Sequence, residues 1–574
     1  MSQKSALDQI RMQIQWNRLL SVVEEQAQTL IRTAFSTSAR EAGDISAGVY
    51  DCRGRMLAQA VTGTPGHVNA MAASVGFFME KFPLSTMKPG DVFVTNDPWR
   101  GTGHLNDFTV VTPTFLGNEI VALFACTTHV VDVGGKGFGP DGRQIYEEGI
   151  NIPIMKLAEN GEFVEPVLAI IRNNVRNPIE VEGDLYSLAA CNDVGGTRLI
   201  DMMREFGMET LDTLADYVIE SARAGMAAEI RELPNGTYHN SMRIDGYESP
   251  IDLVAALTIR DEEIEVDFTG TSGISTFGIN VPLTYTQAYA SFGIRCVIGG
   301  AVPNNAGSLA PVIITAPEGS ILNAPHPCAV TARHVIGQML PDVVLGCLNQ
   351  VIPDRVPAEG TSCLWNPVLL GGHGLTDSDY GDATPFAINT FHAGGTGARP
   401  DKDGLNATAF PSGVRNTPIE VNETIAPLII WRKEYRADSG GAGRYRGGVG
   451  QVMEISHSQH APFAINCMFD RVTYPPRGRN GGGDGTAGII ERANDGSRLN
   501  SKGRQSVNGD DKLIISMPGG GGLGNPHERD PSDVARDVLL GFVSPEAAET
   551  VYGVAVDGKG AVDEARTKGL RATS

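Results

Sequence analysis

Apolar positions recur at helical spacing in several parts of the chain. Residues 7–35 carry apolar side chains about every 3.6 positions and contain neither glycine nor proline, which predicts one long helix. The same pattern predicts helical structure over 68–82, 185–230 and 281–299. The last 45 residues return to a helical pattern that starts at Asp530-Pro531, an N-cap residue followed by a proline in the first turn.

β-branched and aromatic residues between turn-forming residues predict strands elsewhere. Strands are expected within 44–60, 91–95 and 238–268. Two further runs, at 108–115 and 120–128, are separated by a Gly-Asn step, which predicts a β-hairpin. From about residue 360 onward the chain is dense in glycine and its apolar runs are short.

These patterns predict an α+β fold with several layers. Helical N-terminal elements and β-hairpins are followed by a glycine-rich, short-stranded C-terminal half. Composition changes near residues 235 and 355 divide the chain into three predicted regions. They are an N-terminal domain at 1–235 that contains the candidate metal site described below, a central α+β region at 236–355, and a glycine-rich β region with a C-terminal helix at 356–574.

The composition restricts the classes of partner. The chain has 574 residues, a formal net charge of −21 and no run of five Lys or Arg residues, so we expect no nucleic-acid interface. No stretch approaches 18 apolar residues and the N-terminus lacks the apolar core of a signal peptide, so we expect no membrane span. Eight scattered cysteines without a C-x-x-C pair favour a reducing, cytoplasmic location over a disulfide framework.

The residues best suited to bind a metal flank the predicted hairpin, where its first strand begins and its second strand ends. His104 and Asp107 come directly before its first strand, and His129 follows its second. A hairpin centred on the Gly-Asn step places Asp107 opposite Thr128, so the three side chains gather at the open end. Two imidazoles and a carboxylate there suit a borderline divalent metal, and a site with an open position could activate water or polarise a carbonyl.

A purely structural interpretation of these residues stays open at this point. Strict alternation along the strands would place Asp107 and His129 on opposite faces of the sheet. Pro113 in the first strand indicates an edge or a bulge, which could change this. In the structural alternative, Asp107 holds a loop in place and both histidines are simply hydrogen-bonded at a strand end.

Two glycine-rich segments are weaker candidates for anion sites. Residues 519–524 match G-x-G-x-x-G, but the next helix starts only at Asp530, so a structural glycine loop is favoured over a phosphate site. Residues 440–450, with Arg444 and Arg446, are interpreted as a solvated turn. The sequence contains no G-x-x-x-x-G-K-[ST], G-x-S-x-G or H-E-x-x-H, so a P-loop ATPase, an α/β-hydrolase and a zincin lack support.

Several longer segments resemble the hydantoinase B/oxoprolinase family, in order, from about residue 30 to 555. The segments that carry the resemblance are Arg40-Glu41, Asp44-Ile45-Ser46, Gly54 to Ala60, Asn96-Asp97-Pro98, His104 to Asp107, Gly394 to Pro400, Pro475 to Gly478, Pro518 to Gly524, Arg529-Asp530-Pro531, Gly541 to Ser544 and Tyr552-Gly553-Val554.

This resemblance implies that the chain is one subunit of a two-component enzyme. Family members open cyclic amides such as hydantoins, 5-oxoproline and caprolactam-type lactams with ATP. The ATP site lies on a hydantoinase A-like partner, so we expect a hetero-oligomer. The family also includes acetone and acetophenone carboxylases.

The resemblance also implies roles for individual residues. His104, Asp107 and His129 would bind a divalent metal such as zinc, manganese or iron, with Asp44 as the further carboxylate ligand. Asp44, Asp107 and His67 are the expected catalytic residues, and Asp44 or Asp107 could take a proton from water. Asp132 could orient a ligand imidazole.

Three functions are compatible with the sequence, and we favour the first. In the first, the partner phosphorylates the carbonyl of a cyclic amide, and a metal-activated water on this subunit attacks the same carbon. In the second, this subunit is the alpha-type subunit of a ketone carboxylase. In the third, it is a non-catalytic scaffold for the ATP-binding partner. The segments Gly43-Asp44 and Asp97-Pro98-Trp99 depart from common family forms, which leaves the substrate class open.

Overall fold

A computed structural model of the chain describes residues 3–61, 63–372, 383–557 and 559–572. Helix accounts for 32 % and strand for 23 %, in several small sheets, so the predicted α+β class is confirmed. Within the described ranges, no helix combines the length and the apolar character needed to cross a bilayer.

The helices agree with the predicted positions. The predicted helix over 68–82 is α3, and the region over 185–230 is divided into α6 and α7 because Gly207 ends α6 in a left-handed conformation (φ 65°). The Asp530 side chain caps α13 through Ser532 N, as expected. The α-helices are α1 (Gln3–Thr33), α2 (Thr37–Arg40), α3 (Pro65–Lys81), α4 (Ile145–Glu148), α5 (Glu165–Asn174), α6 (Pro178–Phe206), α7 (Asp212–Arg231), α8 (Leu283–Arg295), α9 (Ala306–Leu309), α10 (His334–Gly337), α11 (Leu340–Leu348), α12 (Ile419–Ile425), α13 (Pro531–Leu539), α14 (Pro545–Thr550) and α15 (Glu564–Ala572).

The strands are short apart from the hairpin and the pair that follows α7. They are β1 (Ile45–Tyr50), β2 (Met56–Gln59), β3 (Val92–Thr95), β4 (Asp107–Leu116), β5 (Glu119–His129), β6 (Met155–Glu159), β7 (Glu162–Phe163), β8 (Gly236–Ile244), β9 (Ile251–Arg260), β10 (Glu263–Asp267), β11 (Val312–Thr315), β12 (Val368–Gly371), β13 (Phe386–Asn389), β14 (Leu428–Tyr435), β15 (Gln451–His457), β16 (Phe463–Met468), β17 (Ile489–Arg492), β18 (Lys502–Val507) and β19 (Leu513–Ser516).

The chain divides into two compact units. The first unit comprises Met1–Phe138, Gly142–His239 and Ala255–Arg333. The second unit comprises Gly139–Asp141, Asn240–Val254 and His334–Ser574. The division into three regions that composition predicts stays a prediction.

A layered sheet forms the core of the first unit. Its seven antiparallel strands have the order β2-β1-β5-β4-β3-β6-β7. Adjacent residues Val110 and Val111 of β4 belong to different apolar clusters, because alternate side chains point to opposite faces. One cluster includes Leu30 of α1 and Leu188 of α6, and the other includes Phe78 of α3. Helices therefore cover both faces of the sheet.

Glycine segments in the second unit pack backbone against backbone. A Cβ atom added at Gly395, Gly448 or Gly520 would lie within 3.0 Å of backbone atoms in another segment, closer than real Cβ atoms come. The same unit contains two four-stranded sheets, in the orders β13-β12-β16-β18 and β14-β15-β19-β17. Glycine is therefore required here for close approach.

This packing decides between the interpretations of the two glycine-rich motifs. The backbone N–H groups of residues 519–522 donate to carbonyl oxygens of Thr486, Gly448, Glu359 and Gly483, which leaves none of the four for a phosphate. The structural interpretation of 519–524 is confirmed. The solvated turn expected at 440–450 is wrong, because residues 446–450 are buried.

Candidate metal centre

The candidate site lies at the open end of the hairpin that β4 and β5 form around the Gly-Asn step. Near the turn, the two strands pair in the expected register. A β-bulge between Thr114 and Phe115 shifts the register by one residue from there to the open end. The bulge lies beside Pro113, the residue that indicated an irregularity in this strand.

The bulge determines which residues face each other at the open end. Asp107 pairs directly with His129, so the expected pairing with Thr128 is wrong by one residue. Residues that are directly opposite in an antiparallel pair lie on the same face of the sheet. The alternation that argued against a shared site therefore does not separate these two side chains.

A third strand extends this row of residues. β1 pairs with β5 so that Ile45 lies opposite Thr128, which brings Asp44 next to His129. The His129 backbone N–H donates to the Asp44 carbonyl oxygen at 3.3 Å. The ends of β1, β5 and β4 thus bring Asp44, His129 and Asp107 to one edge of the sheet.

Three side chains converge at this edge. His104 Nε2 lies 2.6 Å from Asp107 Oδ1, and His129 Nδ1 lies 3.3 Å from each of these two atoms. The three residues are buried, with 1 %, 0 % and 3 % of the surface of His104, Asp107 and His129 exposed. Among the described residues, they form the group of His, Cys, Asp and Glu side chains that could hold a metal ion.

The state of His104 favours a cation at this point. Its Nδ1 lies 2.9 Å from the Thr331 carbonyl oxygen, which can only accept a hydrogen bond, so Nδ1 carries the proton. Burial and the Arg333 guanidinium lower the pKa of His104 to about 4, against the opposing effect of Asp107, so the ring is neutral at pH 7. Nε2 lies 2.6 Å from Asp107 Oδ1, so the two atoms must share a cation, either a proton or a metal ion.

The donor set fits a borderline divalent metal. Two imidazole nitrogens and a carboxylate oxygen are common ligands of zinc and of related transition metals. Metal–ligand bonds of about 2.0–2.1 Å at tetrahedral angles separate the ligand atoms by roughly 3.3 Å. Two of the three separations in this cluster, both from His129 Nδ1, are 3.3 Å, and the third, between His104 Nε2 and Asp107 Oδ1, is 2.6 Å and must lengthen when a metal binds.

The second oxygen of Asp107 is held by three donors. Arg333 Nη2 donates to Oδ2 at 2.6 Å, Thr102 Oγ1 donates at 2.8 Å, and His67 Nε2 lies 3.0 Å away. Burial raises the pKa of the Asp107 carboxyl, but His104, His67 and Arg333 outweigh burial and hold this pKa well below its usual range. Asp107 is therefore an ionised carboxylate with one oxygen turned to the two imidazoles.

Asp44 and His67 lie beside the three-residue cluster. Asp44 Oδ1 accepts a hydrogen bond from Thr64 Oγ1 at 2.9 Å and lies 3.7 Å from His67 Nδ1. Burial lowers the pKa of His67, but Asp107 and Asp44 outweigh burial, so this pKa is raised. His67 thus lies between two carboxylates, and the expected role of Asp44 as a metal ligand stays a prediction.

Comparison with known proteins identifies the family. The sequence model of hydantoinase B/oxoprolinase matches residues 8–526. The chain belongs to the hydantoinase B/oxoprolinase family. It is 29 % identical over 593 residues to the B-type subunit of the putative D-/L-hydantoinase of Pseudomonas sp. (strain NS671), with 98 % of each chain covered. The family indicated by the sequence motifs is confirmed.

Other family members extend this similarity to the fold. The beta subunit of caprolactamase from Pseudomonas jessenii is 28 % identical over 594 residues, which cover 99 % of this chain and all of the relative. The crystal structure of ATP-dependent caprolactamase from that organism has a TM-score of 0.87 and 25 % identity, over 98 % of this chain and 99 % of that one. An acetone carboxylase structure shares the fold, with a TM-score of 0.85 and 22 % identity over 98 % of this chain and 82 % of that one.

Two contacts at the site come from residues that no family motif identified. Arg333 reaches Asp107 from 226 residues away, and the Thr331 carbonyl fixes the His104 ring. No local pattern in the sequence marks either residue, because each contact depends on tertiary packing. Asp132, expected beside a ligand imidazole, forms an ion pair with Arg176 at 2.6 Å.

Glu148 supports the loop that carries Thr331. Its Oε1 accepts hydrogen bonds from the backbone N–H groups of Val330 and Thr331, both at 2.8 Å. Burial raises the pKa of Glu148 from 4.5 to about 7, although these hydrogen bonds act in the opposite direction. The folded chain therefore binds this proton more tightly than the unfolded chain does.

We expect Glu148→Gln to remove a pH dependence of stability. Because the pKa of Glu148 is about 7 when folded, its contribution to stability is complete below about pH 4.5 and is lost as the pH rises through 7. The rise of the pKa from 4.5 to about 7 corresponds to roughly 3 kcal/mol of folding free energy. In denaturant unfolding, the variant should match the wild type near pH 4 and exceed its stability at pH 8. The neighbouring Glu147 is half-buried and Lys136 lowers its pKa, so Glu147→Gln should show no such gain. An unchanged wild-type pH profile in Glu148→Gln would contradict this account.

Proposed function

We propose that this chain is the metal-bearing hydrolytic subunit of a two-component, ATP-dependent enzyme that opens cyclic amides. The observation that carries the proposal is the convergence of His104 Nε2, His129 Nδ1 and Asp107 Oδ1 in a buried site. The similarity to one subunit of a putative hydantoinase and to the beta subunit of caprolactamase supports it. Because both relatives are named as subunits, they also support the existence of a partner.

His104, His129 and Asp107 would hold zinc, manganese or iron. When bound, such a metal would supply a Lewis acid, which can polarise a carbonyl group or acidify a water molecule. Phe138 packs edge-on against both imidazoles, with ring centroids 5.7 Å from His104 and 4.8 Å from His129. The Phe138 ring therefore borders both candidate ligands.

The remaining residues would orient the site and move protons. Arg333 and Thr102 hold Asp107 Oδ2, so that Oδ1 stays turned to the imidazoles. His67 can hold a proton on Nδ1, where the nearest carboxylate oxygen is Asp44 Oδ1 at 3.7 Å. We propose that Asp44 accepts a proton released in the site by way of His67.

ATP would be bound and used by the partner subunit. We propose that a hydantoinase A-like partner phosphorylates the carbonyl of a hydantoin, 5-oxoproline or a caprolactam-type lactam in a cytoplasmic hetero-oligomer. An amide carbonyl activated in this way is a better electrophile. Addition of one water and cleavage of the C–N bond, with a proton passed to the nitrogen, would open the ring to an acyl phosphate, which a second water would hydrolyse to a carboxylate and inorganic phosphate. The sequence of this chain has no P-loop motif, which is consistent with ATP binding on the partner subunit.

Metal content tests the centre directly. Purified without chelator, the wild-type chain should contain about one zinc, manganese or iron ion by elemental analysis, and His129→Ala should contain almost none, because one of three ligands is lost. His460→Ala removes a histidine whose side chain is 79 % exposed and should keep the metal. A wild-type chain without metal would favour the scaffold function instead.

Turnover by the assembled enzyme tests the reaction class. The complex with its partner should convert hydantoin, 5-oxoproline or caprolactam to a ring-opened product, with one ADP formed for each ring. The reaction should not require bicarbonate. Bicarbonate-dependent loss of acetone or acetophenone, without ring opening of any of the three amides, would replace this proposal with a ketone carboxylase.

A further inference from the structure

A buried arginine contacts the candidate metal ligand Asp107. The Arg333 side chain is 3 % exposed, and its Nη2 lies 2.6 Å from Asp107 Oδ2. Arg333 brings a permanent charge, whereas the other contacts of Asp107 come from the Thr102 hydroxyl and from imidazoles. An ionised carboxylate at 0 % exposure needs such a partner, because an unpaired buried charge is strongly unfavourable.

Three neighbours fix the position of this arginine. Nε and Nη2 of Arg333 donate to the Thr102 carbonyl oxygen at 3.3 and 3.2 Å, and the guanidinium lies 4.1 Å above the centre of the Tyr285 ring. Gly103 has φ +101°, and a Cβ atom there would lie 3.1 Å from Arg333 Nε. The guanidinium is therefore held in one orientation by packing that does not involve a metal.

The contacts of Asp107 divide between its two oxygens. Arg333, Thr102 and His67 surround Oδ2, whereas His104 and His129 surround Oδ1. This division prevents the carboxylate from turning both oxygens towards one ion. It also keeps Oδ1 in place before any ion arrives.

We propose that Arg333 is a positioning residue that serves as the counter-charge of Asp107 while the site is metal-free, so that the centre is assembled before the metal binds. The inference rests on the proposed function, because it takes Asp107 as a metal ligand. It predicts that the first unit folds without metal in the wild type. Without Arg333, Asp107 loses its permanent counter-charge, so a bound metal should contribute more to folding than it does in the wild type.

The test compares thermal unfolding of chelator-treated protein with and without added zinc. Zinc should raise the melting temperature of Arg333→Met by at least about 5 °C more than it raises that of the wild type. Arg333→Lys, which keeps the charge, should respond to zinc as the wild type does. An equal response of Arg333→Met and the wild type would overturn the inference.

A second buried arginine provides the matched control. Arg446, in the second unit, is also 3 % exposed and contacts Asp537 at 3.2 Å, the Gly447 carbonyl and the Phe542 ring at 5.1 Å, although Asp537 also pairs with Arg529 at 2.7 Å. Arg446→Met should lower the melting temperature but should not increase the response to zinc. If both variants gain equally from zinc, the effect is unspecific and the inference fails.

A double variant covers the case in which metal-free Arg333→Met does not fold. Asp107→Asn in the Arg333→Met background removes the uncompensated carboxylate, so the double variant should fold without metal. If it also fails to fold, the role of Arg333 is packing and the inference is overturned.

Zinc binding by the wild type, measured by equilibrium dialysis, separates the failure of the two proposals. If the wild type binds no zinc, the proposed function and this inference both fail. If it binds zinc but Arg333→Met and the wild type show equal melting shifts, only the inference fails.

Discussion

Gly395→Ala is expected to destabilise the second unit by more than about 4 kcal/mol. The added Cβ atom would lie within 3.0 Å of the carbonyl group of Gly448 and the backbone nitrogen of Gly520. Backbone atoms cannot rotate away as a flexible side chain could. The same segments are tied by hydrogen bonds, since Gly395 N donates to Pro518 O at 3.1 Å and Gly520 N donates to Gly448 O at 2.9 Å.

Denaturant unfolding checks this prediction against a matched glycine. Gly569 is exposed on α15 in the same unit and has no atom within 4 Å of its Cβ position. Gly569→Ala should therefore be neutral or should stabilise the chain by up to about 1 kcal/mol through helix propensity. An unfolding midpoint for Gly395→Ala as high as that of Gly569→Ala would show that the glycine segments do not pack as described.

The close packing of the glycine segments could not be predicted from the sequence. Periodic apolar residues located α1, α3, α6 and α7, because each helix buries one stripe against the sheet. Residues 440–450 carry no such pattern, and their polar, glycine-rich composition is typical of solvated turns. Their burial follows from backbone contacts between distant segments, which leave no periodic signal in the side chains.

The candidate site shows the same division between local and distant information. The spacing of His104 and Asp107, and the position of His129 at the end of the next strand, were sufficient to bring the three residues together. The register was wrong by one residue because a bulge depends on strand packing, and Pro113 indicated only that an irregularity was possible. Arg333 could not have been predicted, because its contact with Asp107 spans 226 residues.

Asp107→Asn is expected to lower ATP-coupled ring opening by the assembled enzyme at least about a thousand-fold. A Lewis-acid metal contributes several kcal/mol to such a reaction, and each 1.36 kcal/mol corresponds to a factor of ten in rate. Asparagine has almost the same shape but no charge. Its amide nitrogen would either face the Arg333 guanidinium or take the place of Oδ1 beside His104 and His129. In both cases the centre loses the anionic ligand that a divalent metal needs.

The measurement is the steady-state rate with the cyclic amide that the wild-type complex opens, together with the metal content of each variant. Asp91 is the matched control, since it is also fully buried, precedes β3 of the same sheet and pairs with Lys156 at 3.2 Å. Asp91→Asn should keep its metal and remain within about tenfold of the wild-type rate. An Asp107→Asn enzyme that stayed as active as this control would place the chemistry outside the three-residue cluster. Equal losses of rate in both variants would instead show that the effect comes from destabilising the sheet. Of these two aspartates, Asp107 is the one that contacts the imidazoles of His104 and His129.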